Sequence, residues 1–358
     1  MSFPLIFAIA SIFLLVVLHE LGHFLLAKKF RVKVEEFGIG LPPRIVGRTL
    51  GDTLYSLNLL PIGAFVKLKG EEQRSTDSES FSSKPIWQRI LIVVGGVASS
   101  WITAAFIFIV LIATAGIPTQ ITDDETVNIV EPQVQVSETA PHSPAEEVGL
   151  LPGDIILRIA TDDASQEITK MRELQSFVAE HKGKEVTLTI QRGAETITTS
   201  LIPRVEPPKG EGSMGIVLRR VGFLVYPWYE APGQGVVITG KITVQIFQGL
   251  GRIVGGQEKI SADQFMGPIG VINVLQGSLR VGIANFLYLV ALIAIFLAIF
   301  NTLPIPALDG GRIVFLVIEG IIRKPLPNRV VQTLVIASFV VLIPLIVWVT
   351  INDVRQVF

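Results

Sequence analysis

The sequence contains no cysteine, and it carries little charge of either sign. Its 358 residues include 30 Lys or Arg and 31 Asp or Glu, so the formal charge is −1 and charged residues make up 17% of the chain. The absence of cysteine excludes disulfides, thiolate metal ligands and a cysteine nucleophile. A near-zero net charge without a basic tract gives no support for nucleic-acid binding, so we expect no nucleic-acid partner.

Apolar residues, in contrast, are in excess. They make up 49% of the chain, and the mean hydropathy of +0.56 is too high for an ordinary soluble domain. Crossing the hydrocarbon core of a bilayer takes about 20 helical residues. Four stretches are apolar and long enough, namely residues 4–27, 88–115, 283–303 and 330–351. They predict a polytopic α-helical membrane protein, with the lipid bilayer as its surroundings.

Lys and Arg are unevenly distributed between the connections of these spans. They are frequent in residues 28–90 and in the short connection between the third and fourth spans, whereas residues 1–18 contain none. Under the positive-inside rule, basic connections lie in the cytoplasm. We therefore predict that both termini and residues 116–282 lie outside.

The first span contains an unexpected group of ionisable residues. Residues 16–29 read VVLHELGHFLLAKK, and ionisable residues at membrane depth usually mark a functional site. His19, Glu20 and His23 form H-E-x-x-H, which on a helix places both imidazoles on one face, within reach of a single ion. Zinc accepts neutral imidazole nitrogen, and Glu20 could take a proton from a metal-bound water. The alternative, a histidine pair without a metal, is disfavoured inside a span.

A catalytic zinc needs a third protein ligand and an open position, and the best candidate follows the third span. Residues 300–311 read FNTLPIPALDGG. Pro304 and Pro306 cannot continue a regular helix, so the chain must unwind there, next to Asp309. The alternative role for Asp309 is to cap a helix that starts near Arg312.

The other segments predict β structure and a small soluble module. In residues 31–70, short β-rich runs between Gly and Pro predict hairpins at the membrane face. Residues 125–203 contain alternating strands and a helix, and they resemble a PDZ domain, a fold that binds peptides by strand addition. His142 and His181 are then a loop residue and a residue near a helix end. Residues 233–256 predict an amphipathic helix on the outer membrane surface.

The two motifs together, with a PDZ module between the second and third spans, resemble the site-2 protease family of intramembrane zinc metalloproteases. The similarity is greatest to bacterial regulators of envelope-stress signalling. It implies one zinc per chain, with His19, His23 and Asp309 as its ligands and Glu20 as the catalytic base. It also implies a supporting role around the aspartate for four residues: Asn301, Pro304, Pro306 and Gly310.

One stretch departs from the family pattern. The second span of the family usually carries G-P-x-x-N, and here residues 96–100 read GVASS. The proline is absent and serine replaces asparagine, and a hydroxyl offers fewer and shorter-reaching hydrogen bonds than a carboxamide. The resemblance implies substrate positioning by this stretch, with Gly96 and Ser100 at the matching positions.

The resemblance implies hydrolysis of peptide bonds within or next to transmembrane segments, after a first extracytoplasmic cut. The implied partners are single-span membrane proteins, such as anti-sigma factors or signal-peptide remnants. The implied location is the bacterial inner membrane, with the active site toward the cytoplasm and the PDZ domain outside. Two alternatives are a catalytically silent PDZ-bearing adaptor, against which the intact Glu20 argues, and a metal transporter, which would need polar residues along several spans.

The predicted organisation has seven parts. They are the first helix with H-E-x-x-H (1–30), a membrane-associated β region and loop (31–87), the second helix (88–115), the PDZ domain (116–210), a linker with the amphipathic segment (211–282), the third helix with N-x-x-P-x-P-x-L-D-G (283–329) and the fourth helix (330–358).

The predicted topology can be tested directly, because the chain has no cysteine of its own. A cysteine introduced at Ser78, in a basic connection, should be shielded from an impermeant thiol reagent in intact cells. A cysteine introduced at Ser165 should be labelled. The opposite labelling pattern would invert the orientation and place H-E-x-x-H nearer the outer side.

Overall fold

The computed structural model describes residues 3–71, 75–125, 128–193, 195–257 and 266–357. The chain divides into two compact units. The helical unit contains Met1–Ile109, Gly235–Leu279 and Leu289–Phe358, and the strand-rich unit contains Val110–Gln234 and Arg280–Tyr288.

The elements follow one another in this order: α1 (Phe3–Lys29), β1 (Val34–Leu50), β2 (Thr53–Leu68), α2 (Ile86–Thr114), β3 (Ile117–Ile121), β4 (Ile129–Thr139), α3 (Pro144–Glu147), β5 (Ile155–Ala160), β6 (Ser165–Glu167), α4 (Met171–Glu180), β7 (Val186–Arg192), β8 (Glu195–Leu201), β9 (Ile216–Leu224), α5 (Ala231–Val254), α6 (Pro268–Val281), α7 (Ile283–Thr302), α8 (Asp309–Ile322) and α9 (Asn328–Val357).

Within the described part of the chain, four helices are long and apolar enough to cross a membrane: α1, α2, α7 and α9. The prediction of about four spans is confirmed, and each helix begins within two residues of its predicted start. Only helices and closed barrels satisfy every backbone group inside lipid, so these apolar sequences are expected to be helical.

Helices α1 and α2 approach each other closely at a pair of glycines. A Cβ atom at Gly22 would overlap the carbonyl oxygen of Gly95, and one at Gly95 would lie 2.7 Å from the carbonyl oxygen of Gly22. Small residues at such a crossing let two backbones come into contact. The contact fixes the axial position of α1 relative to α2 next to the H-E-x-x-H motif.

Strands β1 and β2 form a small sheet in which both strands bend. The first half of β1 has partners on both sides, since Phe37 pairs with Val66 and also with Tyr55. The second half of β1, residues 44–50, pairs with the start of β2. Residues 64–68 of β2 therefore form one edge of this sheet. The predicted β region is thus one folded hairpin, with its root packed in a core beside α1 and α2.

The C-terminal span is held to α6 by one buried carboxylate. Asp353 of α9 is 3% exposed and accepts hydrogen bonds from the backbone N–H groups of Gly267 (2.9 Å) and Gly270 (2.8 Å). These groups lie at the start of α6, where helix N–H groups have no partner inside the helix. A buried carboxylate there also interacts favourably with the helix dipole.

The strand-rich unit is an antiparallel sheet with the order β3-β9-β4-β5-β7-β8, and β6 pairs with β5. Its core contains Leu174 and Phe177 of α4. Gly193, with a φ of +61°, follows directly after β7.

One strand lies outside the predicted PDZ domain of residues 116–210. Strand β9 falls in residues 211–282, which we assigned to linker and amphipathic helix. The sequence of β9 does not look like a strand with a buried face, because Arg219 and Arg220 lie at its centre. In the structure, however, Arg220 is only 3% exposed. The guanidinium donates to the carbonyl oxygens of Thr122, Glu125 and Thr169, so a residue that normally marks the surface is buried with its hydrogen bonds made.

Candidate metal centre

The three predicted metal ligands come together in the helical unit. Nε2 of His19 lies 3.1 Å from Oδ2 of Asp309, Nε2 of His23 lies 3.3 Å from the same oxygen, and the two Nε2 atoms are 3.3 Å apart. His19 is 5% exposed and Asp309 is 8% exposed. Residues 19 and 23 on α1 and the first residue of α8 thus converge, although 290 positions separate His19 from Asp309.

The break before α8 positions Asp309. Helix α7 ends at Thr302 and α8 begins at Asp309, so Pro304 and Pro306 lie in the unwound connection, as predicted. A Cβ at Gly310 would overlap the carbonyl oxygen of Leu303, which means that only glycine lets the new helix start against the end of the old one. The capping alternative is wrong, because the N-cap is Leu308 and Asp309 is already helical.

The other ring nitrogen of each histidine contacts α2. Nδ1 of His19 lies 3.0 Å from Oγ of Ser100, and Nδ1 of His23 lies 2.9 Å from the carbonyl oxygen of Ile92. A Cβ at Gly96 would overlap Nε2 of His23 and lie 2.7 Å from Nε2 of His19. Gly96 and Ser100, which we predicted to position substrate, lie directly against the two imidazoles.

A cavity of about 330 Å³ opens beside these groups. Glu20 and Asn301 line it, as the sequence predicts for residues near the reaction. Nδ2 of Asn301 donates to the carbonyl oxygen of Leu297 at 2.9 Å. Pro304, Pro306 and Gly310 are not in the cavity wall and shape the chain behind it.

Sequence reasoning did not identify the individual residues of two groups around this cavity. The edge of β2 supplies Phe65, Val66 and Leu68, and an ion pair between Arg312 of α8 and Glu71 lies at its boundary. The pairing of Arg312 with Glu71 spans 241 positions, and no local motif signals such a contact.

The donor set fits zinc. Two imidazoles and one carboxylate are a ligand combination of catalytic zinc sites, which keep a fourth position open for water. Bonds of about 2.0–2.1 Å in a tetrahedral arrangement place neighbouring ligand atoms about 3.3 Å apart. The three ligand atoms are 3.1 to 3.3 Å apart, and the cavity supplies the open side.

Comparison with known proteins agrees with this geometry. Residues 7–345 match the family described as Peptidase family M50. The chain belongs to peptidase family M50. This confirms the resemblance to the site-2 protease family, and the chain is accordingly a zinc-dependent metalloprotease.

Relatives of this M50 protein cover nearly its whole length. A Clostridium perfringens protein whose name describes it as a zinc metalloprotease is 35% identical over 356 residues, 98% of both chains. The regulator of sigma-W protease RasP of Bacillus subtilis is 27% identical over 432 residues, 96% of both chains. The zinc metalloprotease RasP of Oceanobacillus iheyensis is 25% identical, over 96% of this chain and 97% of its own. With four apolar helices of spanning length among the described residues, the chain fits a bacterial inner-membrane protein.

Zinc retention and activity should separate in variants of this M50 protease. Glu20→Gln should keep one zinc per chain and lower kcat at least ~10²-fold, because it removes a proton acceptor but no ligand. His23→Ala and Asp309→Ala should lose zinc to a chelator more readily than the unmodified protein. Atomic emission of the purified protein and hydrolysis of a single-span substrate measure the two quantities.

The control is removal of a histidine elsewhere. His181 is the C-cap of α4 in the strand-rich unit, so His181→Ala should retain full zinc. Full zinc occupancy in a His19→Ala/His23→Ala double variant would contradict the ligand assignment.

Proposed function

We propose that this M50 protease hydrolyses peptide bonds within or next to the transmembrane segments of other membrane proteins. His19, His23 and Asp309 hold the zinc ion and Glu20 is the catalytic base. The observation that carries the proposal is the largely buried His-His-Asp group. Its two histidines lie on an apolar helix of spanning length, and it opens to a cavity that contains Glu20.

The residues of the site have separate tasks in this reaction. Bound zinc supplies a Lewis acid that polarises the scissile carbonyl and lowers the pKa of a bound water toward 7. Glu20 accepts the proton of the attacking water and returns it to the leaving amine. The break that contains Pro304 and Pro306, together with Gly310, holds Asp309 at the level of the histidines.

The free edge of β2 is the proposed holder of the substrate. A transmembrane helix satisfies its own backbone groups, so its scissile carbonyl becomes accessible only after the helix unwinds. Within the described residues, no strand pairs with the outer edge of residues 64–68, and Phe65 and Val66 of this segment line the cavity. An unwound substrate can add to that edge as a further strand.

The strand-rich unit is the proposed PDZ domain, and we extend it beyond residue 210 to include β9. Residues 220–224 of β9 pair with β3, but no described strand pairs with that edge over residues 216–219. Helix α4 lies against β9. A free strand edge beside a helix is the arrangement in which PDZ domains bind an extended peptide.

The proposed orientation places the metal centre toward the cytoplasm and the PDZ domain outside, with α5 on the outer surface. The distribution of Lys and Arg supports it. The proposed substrates are single-span proteins such as anti-sigma factors, and signal-peptide remnants. Anti-sigma factors are proposed because the Bacillus subtilis relative is named a regulator of sigma-W protease. The alternative of a catalytically silent adaptor is disfavoured, because Glu20, the proposed base, lines the same cavity as the three proposed zinc ligands.

The proposed reaction predicts where the substrate is cut. Purified enzyme incubated with a panel of single-span proteins should produce fragments whose new ends lie within or next to the apolar segment. A zinc chelator or Glu20→Gln should abolish these fragments, and mass spectrometry locates the ends. Cleavage confined to exterior domains, or cleavage that persists with chelator, would contradict the proposal.

The PDZ domain is expected to exclude substrates that still carry a large exterior domain, so that exterior trimming precedes the intramembrane cut. Replacing Ile117–Leu224 with a flexible linker should then make untrimmed substrate cleavable. These limits follow the sheet, since removing only residues 125–203 would leave β3 and β9 without β4.

The same replacement in the Glu20→Gln background controls for contaminating proteases.

The competing role of the PDZ domain is a tether that holds a newly exposed carboxyl terminus of the substrate. If the shortened protein leaves untrimmed substrate intact and cleaves trimmed substrate more slowly, the tether is correct and the filter is wrong.

A further inference from the structure

Helix α2 contacts both proposed histidine ligands through their Nδ1 atoms, but it does so by two different means. His23 faces the backbone carbonyl oxygen of Ile92 at 2.9 Å, whereas His19 faces the side-chain hydroxyl of Ser100 at 3.0 Å. Ser100 is 1% exposed in the middle of α2. The orientation of one imidazole therefore depends on the main chain, and that of the other depends on a single side chain.

We propose that Ser100 is a positioning residue that fixes the ring orientation and tautomer of His19. The inference rests on the proposed role of His19 as a zinc ligand. A neutral imidazole has one protonated and one unprotonated nitrogen, and the nitrogen that binds zinc must be the unprotonated one. With Nε2 directed at the metal, the proton of His19 resides on Nδ1, which donates to the hydroxyl oxygen of Ser100.

The close packing around Ser100 explains why a small side chain can perform this task. Gly96 lies one turn earlier on the same face of α2, and a Cβ there would overlap Nε2 of His23. The α2 backbone is thus pressed against the histidines, and a hydroxyl on one carbon is long enough to reach Nδ1. The hydrogen bond to His19 thus gives Ser100 a role in the site that requires no contact between Ser100 and the substrate.

The neighbouring serine offers a matched control. Ser99 is also on α2 and also bonds to α1, but its hydroxyl donates to the backbone carbonyl oxygen of Leu18 rather than to an imidazole. Removing either hydroxyl deletes one hydrogen bond between the same two helices. Only Ser100→Ala deletes the acceptor for His19.

The test is a measurement of zinc affinity in purified, folded full-length protein, by competition with chelators of graded strength. Loss of a partner that orients a ligand typically weakens metal binding 10–100-fold. We expect that loss in Ser100→Ala and a smaller change in Ser99→Ala, because the Ser99 hydroxyl contacts the backbone of Leu18, next to His19, and does not contact the imidazole. Ser100→Thr keeps a hydroxyl and should restore most of the affinity.

Two further measurements separate positioning from general packing. In the cobalt-substituted protein, the visible absorption bands should shift in Ser100→Ala and stay unchanged in Ser99→Ala, because the bands report the geometry of the ligands. If Ser100→Ala does not fold, Ser100→Val has nearly the shape of Ser100→Thr but no hydroxyl, and it should bind zinc more weakly than Ser100→Thr.

The outcomes also distinguish this inference from the ligand assignment. Wild-type zinc affinity and an unshifted cobalt spectrum in Ser100→Ala, with affinity lost in His19→Ala, would overturn the positioning role alone. Wild-type zinc affinity in His19→Ala would overturn the assignment of His19 as a ligand, and the role of Ser100 with it.

Discussion

The contact between α1 and α2 at Gly22 and Gly95 is the packing constraint on which the metal centre depends. Since neither residue has a Cβ, the two backbones touch, and α2 comes near enough for Ser100 and the carbonyl of Ile92 to meet the histidines. A larger residue at either position would separate the helices and pull both partners away from the imidazoles. The site is therefore set by backbone proximity first and by side chains second.

The break between α7 and α8 complements this contact from the opposite side. Unwound backbone at membrane depth is tolerated only where protein or water surrounds it, and here the new helix closes over the gap because Gly310 fits against the carbonyl of Leu303. The carboxylate of Asp309 then lies within hydrogen-bond distance of both histidines. A rigid helix pair and a broken helix thus supply the two halves of the proposed ligand set.

Local patterns predicted the parts of this protein that are encoded locally. Apolar runs predicted the four spans, the i, i+4 spacing placed His19 and His23 on one face, and the prolines marked the break beside Asp309. The contact of Ser100 with His19 joins residues 81 positions apart, and nothing in either segment specifies it. Strand β9 was missed because Arg220 looks like a surface residue, and its burial depends on carbonyl groups from two distant loops.

The free edge formed by residues 64–68 has a consequence for substrate choice. Strand addition uses backbone N–H and C=O groups, which nearly every residue carries, so an enzyme that grips its substrate this way reads the side chains around the cut only weakly. What distinguishes one span from another is then the free energy needed to unwind it, which residues of low helix propensity reduce. On the proposed mode of binding, selectivity would follow the helical stability of the substrate, and no consensus cleavage sequence would be required.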